Sequence, residues 1–429
     1  MASILVDSPA KAQNIFEPYL AALRGFAAIL VCLYHAIGLK GLLNQGDSSA
    51  GMLEYQVPGH FCVLLFFVLS GYVVGLNTQS RLTSANIGTY LKKRFLRLYP
   101  IYAVCLVLAL LVAGAGAPSW KAILGNFLFL QVVRVSTIDE LTPAWSLQYE
   151  VVMYLLFIPV SFFRLPAWRV AVGCLGVGLL NMYARPAAPL LSSYAFSFLF
   201  WCSGLALARQ APYRLRRQPD QRVLLSVLLL FLSFPNFSPD WLLTTSLVKL
   251  RSHDFTYRPG LDMFESQLGP HDLAYLPFAV LGVMVFTHQH FPLRPVLMPM
   301  AFLVCGLGFI PLFTSGSPSA HPQYVLSSVF YLVSVAVYST HLALIERTGQ
   351  VFLAWLTKAG ALSYALYLVH FPILCALHRI TYFSSSAGSY FIRFFVFLLG
   401  SFYTAAFLER KLQPWARAFL ERSLSQLRK

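Results

Sequence analysis

The sequence predicts an all-α protein, a polytopic bundle of about 10–12 transmembrane helices. Three observations carry that expectation. Hydrophobic residues make up 58% of the 429 positions and charged residues only 11%, with a mean hydropathy of +0.65, whereas soluble domains carry about a quarter charged residues. Apolar runs recur along the whole chain at roughly the 20-residue length that crosses about 30 Å of hydrocarbon. The alternating strands of about ten residues that a membrane barrel requires are absent from the pattern.

Taken in order, twelve apolar segments lie near 20–38, 60–77, 98–114, 145–163, 168–184, 191–208, 222–234, 275–288, 295–313, 324–344, 361–379 and 389–408. Several are short, so ten or eleven true spans also fit. Basic residues gather between them. Segment 81–97 holds Arg81, Lys92, Lys93, Arg94 and Arg97, segment 209–222 holds five arginines, and six Lys or Arg follow residue 409. The positive-inside rule assigns such segments to the cytoplasm, and twelve spans put all three on one side with both termini. Residues 1–18 and 412–429 then read as cytoplasmic tails around a membrane domain at 19–411. The longest polar stretch, 235–274, reads as an extracytoplasmic loop, and loops of that length are often functional. The N-terminal MASILVDSPAKAQNIFEP lacks a charged-then-apolar signal pattern, so the first helix is expected to direct insertion.

A net charge of +16 invites a nucleic-acid reading. The distribution argues against it, since the charges punctuate apolar runs rather than forming one face. The seven cysteines all lie in apolar segments without a CxxC pair, which predicts packing residues rather than disulfides or zinc ligands. His288 and His290 form an HxH with no carboxylate or Cys at ligand spacing, so no metal site is expected. His253, His271 and His321 read as loop residues.

The first apolar segment contains "LRGFAAILVCLYHA", with Arg24 and His35 eleven residues apart. At about 100° per residue they fall within about 20° of one helix face, roughly 16 Å apart along the axis. Charged groups inside a membrane helix are costly and usually face a cavity or a partner. Snorkelling to the interface explains Arg24 alone. It does not explain His35, which lies too deep, although a buried histidine satisfied by a neighbouring hydroxyl would.

Arg-x10-His in the first membrane helix resembles the signature of the acyltransferase-3 family of integral membrane acyltransferases, and further similarities follow in order. "FFVLSGYVVG" (66–75), "KKRFLRLYPIY" (92–102), "PAWSLQYEVVMYLLFIP" (143–159), "FSFLFWCSGLALA" (196–208), "LSYALYLVHFPI" (362–373) and "FLERKLQPW" (407–415) are each similar to a family motif. Together they run from about Tyr19 to Trp415. Departures include Tyr72 for the usual Phe, Met153 for an aromatic, and a closing Glu-Arg pair without its usual Pro. Twelve segments exceed the ten usual for the family core. The resemblance implies the stand-alone form, without a C-terminal hydrolase-like domain.

The resemblance implies transfer of an acyl group from acyl-CoA, most often acetyl-CoA, to a hydroxyl, with no permanently bound cofactor. That chemistry needs a base for the hydroxyl, stabilisation of the oxyanion and close placement of the two substrates. His35 is the candidate base. Arg24 is the candidate for holding the anionic donor or stabilising transition-state charge, the two sharing one pocket. Glu150, an intramembrane carboxylate, is expected to pair with Arg24 or with an arginine of 94–97, or to orient His35. Arg94 and Arg97, with Lys93, are candidate phosphate ligands, because guanidinium pairs bidentately with phosphate; a simple positive-inside anchor is the alternative. Ser146 lies one turn before Glu150 on the same face, and Ser363 shares a face with His370. Ser70, Trp145, Ser146, Tyr364 and His370 complete the set as supporting residues. Gly71 reads as a close helix approach.

These readings converge on a bacterial inner-membrane O-acetyltransferase acting on a sugar or lipid-linked glycan. Direct transfer with His35 as base is preferred over an acyl-enzyme route. A secondary transporter of a small anion or sugar is the rival class, but the two similar halves with matching broken helices common in transporters are not found.

Overall fold

The computed structural model describes residues 4–5, 9–43, 55–116, 118–184, 189–210, 214–215, 220–237, 240, 243, 268–287, 294–310, 322–384 and 386–426. It is a helix bundle, with one two-residue antiparallel pairing between Ile4–Leu5 and Arg214–Leu215. In chain order the helices are α1 (Pro9–Gly38), α2 (Lys40–Leu43), α3 (Gly59–Asn77), α4 (Ser84–Ala113), α5 (Trp120–Phe127), α6 (Trp145–Phe162), α7 (Ala167–Ala184), α8 (Pro189–Gln210) and α9 (Gln221–Leu232). They continue with α10 (Phe234–Phe237), α11 (Leu276–Phe286), α12 (Arg294–Gly306), α13 (Pro322–Ser339), α14 (Ala343–Gly360), α15 (Ser363–His378), α16 (Ala387–Phe407) and α17 (Gln413–Gln426).

Among the described residues six helices are long and apolar enough to cross a membrane, and a bent pair brings the number to seven. Five shorter apolar helices fall in other predicted segments, so each of the twelve apolar runs contains a helix among the described residues. Large hydrophobic side chains stand exposed along the outside, among them Leu111, Leu180, Leu303, Phe395 and Tyr403. A lipid-facing surface has that character, whereas a soluble monomer rarely exposes extensive apolar patches.

Three boundaries differ from the sequence reading. The basic residues of 84–97 do not lie in a connection. They occupy the first half of α4, continuous with its apolar second half, because nothing in SANIGTYLKKRFLRLY breaks a helix and the Thr83 N–H is capped by Asn86 Oδ1 at 2.7 Å. Residues 413–426 form a helix joined to α16 through a π-turn at Leu408–Leu412. Helix α14 has no counterpart among the apolar segments, since Glu346, Arg347 and Lys358 dilute its hydropathy. It follows α13 at a 117° bend and buries Gly349, Leu353, Leu356, Ala359 and Gly360. Of the predicted 235–274 loop, residues 244–267 lie outside the described residues, as do His288, His290, His253 and His321.

Glycine sets the two tightest crossings. A Cβ on Gly71 of α3 would sit 1.9 Å from the Trp201 carbonyl oxygen of α8, and one on Gly204 of α8 would sit 1.9 Å from the Val68 carbonyl oxygen. Likewise a Cβ on Gly360 of α14 would lie 1.8 Å from the Ala21 carbonyl oxygen of α1. Backbones this close fix α3 beside α8 and α14 beside α1, which leaves α1, α3, α4, α6 and α15 to surround the polar interior.

Candidate active site

A cavity of about 150 Å³ lies among α1, α3, α4, α6 and α15. Its polar wall contains Arg24, Ser70, Arg94, Arg97, Ser146, Glu150, Tyr154, Ser363 and Tyr364. Arg24 and six other predicted residues (Ser70, Arg94, Arg97, Ser146, Glu150 and Tyr364) are therefore brought together from five different helices.

Glu150 makes no ion pair among the described residues. Its Oε1 accepts from Tyr154 Oη at 2.5 Å and from Ser70 Oγ at 3.0 Å, and Trp201 Nε1 donates to Ser70 Oγ at 3.3 Å. The expected pairing with Arg24 or with Arg94 or Arg97 is corrected by this geometry. Tyr154, four residues on along α6, occupies one side of the carboxylate, and Ser70 comes from the facing turn of α3. Arg97 pairs instead with Glu409 of the π-turn at 3.0 Å and lies over the Tyr364 ring at 5.2 Å. Tyr364 Oη donates to the Leu98 carbonyl at 2.6 Å. Arg94 sits over the rings of Tyr90 and Tyr154, 5.5 and 5.3 Å from their centroids, and its buried Nε has no hydrogen-bond partner among the described residues. Arg24 makes no direct hydrogen bond or ion pair among the described residues; Arg97, Glu409 and Glu150 are the charged groups within electrostatic reach.

Val73, Arg94 and Arg97 also line a second and larger space, a vestibule of about 870 Å³. Lys92, Lys93 and Arg417 add to its wall, and α17 closes one side, where Gln413 Nε2 donates to the Leu96 carbonyl at 2.6 Å. Lys93 thus faces the vestibule and not the inner chamber.

His35 lies beyond the other end of the chamber. Its Nδ1 is 2.9 Å from the Val31 carbonyl oxygen and 3.1 Å from His370 Nε2, while His370 Nδ1 is 3.0 Å from the Leu366 carbonyl oxygen. Carbonyls only accept, so in the neutral pair each Nδ1 carries the hydrogen. His370 donates to Leu366 and presents a lone pair on Nε2, and the N–H of His35 is shared between Val31 and His370. Nε2 of His35 is left as the free base position, with Phe371 and Tyr34 packed edge-on at 5.1 Å.

Arg24 and His35 do not line one cavity. Tyr367 stands between them: it lines the chamber, its hydroxyl lies 2.9 Å from the Pro143 carbonyl and shares a hydrogen bond with the Ser146 hydroxyl at 2.7 Å, and its ring lies 6.3 Å, centroid to centroid, from His370. Trp145, also on the far side, stacks on His60 with centroids 6.5 Å apart. The eleven-residue spacing correctly puts Arg24 and His35 on one face but says nothing of a side chain from α15 filling the gap. Sequence reasoning also left out Glu409, Tyr154 and Tyr367. Signals existed for each: the closing Glu-Arg motif, the i,i+4 spacing to Glu150, and the "SYALYLVH" run.

A membrane helix bundle with a cation-lined chamber and a histidine pair is the class these features define. The acyltransferase-domain family model, acyltransferase 3, matches residues 17–410, so the chain belongs to the acyltransferase-3 family. It is 27% identical over 150 residues to "Acyltransferase MdmB" of Streptomyces mycarofaciens, covering 33% of this chain and 38% of that protein. It is 33% identical over 149 residues to "Protein 2 in picA locus" of Rhizobium radiobacter, covering 33% of this chain and 64% of that protein. The matches therefore span less than two thirds of these relatives. No solved structure matches.

Proposed function

We propose that the protein transfers an acetyl group from acetyl-CoA to a hydroxyl of a sugar or lipid-linked glycan, in a bacterial inner membrane with both termini cytoplasmic. Family membership and the similarity to a Streptomyces acyltransferase support acyl transfer. The observation that carries the donor assignment is the row of guanidinium groups leading inward: Arg94 and Arg97 on the wall shared by vestibule and chamber, then Arg24 with no hydrogen-bond or ion-pair partner among the described residues. An unpaired cation in a low-dielectric interior is costly, and an anionic ligand relieves that cost. Coenzyme A carries phosphates that guanidinium binds well. Its nucleotide end would occupy the vestibule and its thioester arm the chamber.

The acceptor hydroxyl reaches His35 from the opposite end of α3. Its proton passes to His35 Nε2 as its oxygen attacks the thioester carbonyl. The carbon–sulfur bond breaks, the coenzyme A thiolate leaves toward the vestibule and is protonated there from water, His35 gives up the acceptor's proton to water on its own side, and the ester remains on the acceptor. His370 holds the imidazole in the required tautomer, the orienting role that a third group plays in catalytic triads. Arg24 neutralises charge on the donor side. Tyr367 lies on the route between the thioester chamber and His35, so it must yield for the reacting atoms to meet.

Free thiol release from acetyl-CoA in membranes tests the reading. His35→Ala is expected to lower acceptor-dependent release by about 100-fold or more, the usual worth of a general base, at unchanged protein level. Equal release in mutant and wild type would remove the central assignment. Trapping of labelled acetyl-protein from donor alone would replace direct transfer by an acyl-enzyme route.

A further inference from the structure

The start of α3, at the end of the bundle opposite the vestibule, holds a third cavity of about 470 Å³, within the usual size range of small-ligand pockets. Tyr34, Phe61 and Tyr275 supply aromatic surface, and Gln56, Asn236 and His60 supply hydrogen-bonding groups. Tyr34 ties the cavity to the histidine pair, since its ring lies edge-on to His35 at 5.1 Å. Gly59 marks how tightly α3 begins here: a Cβ on it would lie 2.5 Å from Tyr34 Cβ.

His60 is built into this pocket with unusual care for a residue at a helix start. Its Nε2 donates to Asp272 Oδ1 at 2.9 Å, and the Asp272 side chain is only 1% exposed. Oδ2 of Asp272 accepts from the Gly269 N–H at 2.8 Å, and His271 lies 3.5 Å from Oδ1. Trp145 stacks on the imidazole from the α6 side. A carboxylate fixed in this way sets both the ring orientation and the tautomer of its histidine, so the neutral ring presents Nδ1 as an acceptor. The His60 side chain remains 39% exposed. The sequence gives no hint of this pair, whose members lie 212 positions apart.

We propose that this pocket seats the acceptor as a sugar ring, with His60 as a positioning residue that Asp272 orients to accept a hydrogen bond from one of its hydroxyls. A sugar has apolar C–H faces and hydroxyl edges. Aromatic rings bury the first, and an imidazole with flanking amides meets the second. The position beside Tyr34 delivers a neighbouring hydroxyl toward His35, a step that rests on the acyl-transfer reading; the binding site itself does not.

The test uses the full chain in phosphatidylcholine nanodiscs, free of glycoside detergents. Equilibrium binding of tritiated methyl α-glucoside, methyl α-rhamnoside and methyl β-N-acetylglucosaminide is measured. At least one is expected to bind saturably, with affinity reduced about tenfold in His60→Ala and Asp272→Asn and about threefold in Gln56→Ala, as expected for lost hydrogen bonds. Gln56 is at the exposed rim, so its variant reads out even where His60→Ala fails to fold. His60→Gln restores part of the affinity. In turnover the His60 variants raise the acceptor KM and leave the KM for acetyl-CoA unchanged. Absence of saturable binding for all three glycosides, or equal affinity in wild type, His60→Ala and Gln56→Ala, overturns the proposal. A chain that binds a glycoside at His60 but never releases thiol from acetyl-CoA overturns the acyl-transfer reading and leaves the site standing.

Discussion

His35 owes the orientation of its ring to His370 as well as to its own helix. Alone on α1, its ring would be held only by the Val31 carbonyl one turn back. The neighbouring Nε2 of His370 at 3.1 Å takes the second share of the Nδ1 hydrogen and directs Nε2 outward. Replacing His370 with Phe keeps an aromatic volume and removes that acceptor. It is expected to lower kcat by about 10- to 100-fold, within the range of general-base effects, with little change in acetyl-CoA affinity; an unchanged kcat would assign His370 to packing alone. Tyr367→Ala is expected to have the opposite character. If the chamber holds the thioester as proposed, removing the ring between chamber and histidine pair would open it to water, so acceptor-independent hydrolysis of acetyl-CoA should rise several-fold, and a rate equal to wild type would mean that Tyr367 is no barrier. At this scale the sequence placed Arg24 and His35 on one face because helical periodicity is local. It could not place Glu150, because Ser70 belongs to another helix and Tyr154 competes for the carboxylate that a nearby arginine was expected to take.

Among the elements, α3 and α8 meet where both lack side chains. Gly204→Ala would drive a methyl group into the Val68 carbonyl, and backbone has no rotamer to yield. Overpacking of this kind costs about 1–3 kcal/mol or more, so a fall in thermal stability is expected, with partial loss of transfer because Ser70 rides on the displaced α3; wild-type melting in detergent would contradict it. At the start of α9, Asp220 caps Arg222 N at 3.1 Å, and its carboxylate also receives the Arg222 guanidinium at 2.7 Å, while Arg222 Nη1 donates to the Thr340 carbonyl at the α13–α14 bend. Burial alone would push the Asp220 carboxyl up; the Arg222 guanidinium and the helix N–H groups more than offset this and hold it below the usual carboxylate range. A carboxyl lowered on folding stabilises the fold above its unfolded value and loses that contribution as pH falls through its folded one. Asp220→Ala is therefore expected to cost about 1 kcal/mol at neutral pH, with the difference from wild type shrinking in acid. A constant difference across that range would deny the ion pair a role. Helix α14 was illegible as a membrane element because its amphipathic pattern averages out in hydropathy, and it was recognised only by the α1 groove that its glycine fits.

Over the whole molecule the polar spaces fall in a line along α3: vestibule near Asn77, chamber at Ser70, and the aromatic pocket at Gly59, with the histidine pair set between the last two on α1 and α15. On the proposed reading, the basic wall of the vestibule would act on an anionic donor through its field as well as by contact. Acetyl-CoA KM should rise several-fold as salt increases from low to high ionic strength, since exposed charges are screened within about 10 Å at 0.1 M. The triple variant Lys92→Ala, Lys93→Ala, Arg417→Ala should flatten that dependence. A KM indifferent to salt in the wild type would count against an anionic donor in the vestibule.

The sequence by itself determined the helical membrane architecture, the twelve apolar segments and the shared face of Arg24 and His35. Each is written in composition or in the period of a single helix, and the cost of polar groups in hydrocarbon enforces them locally. Only the tertiary structure decided that Arg97 meets Glu409, that Tyr367 separates the arginine from the histidine, and that His60 is held by Asp272. Those contacts join side chains hundreds of positions apart, and the packing of glycine-thinned helices, not any local pattern, brings them within hydrogen-bonding distance.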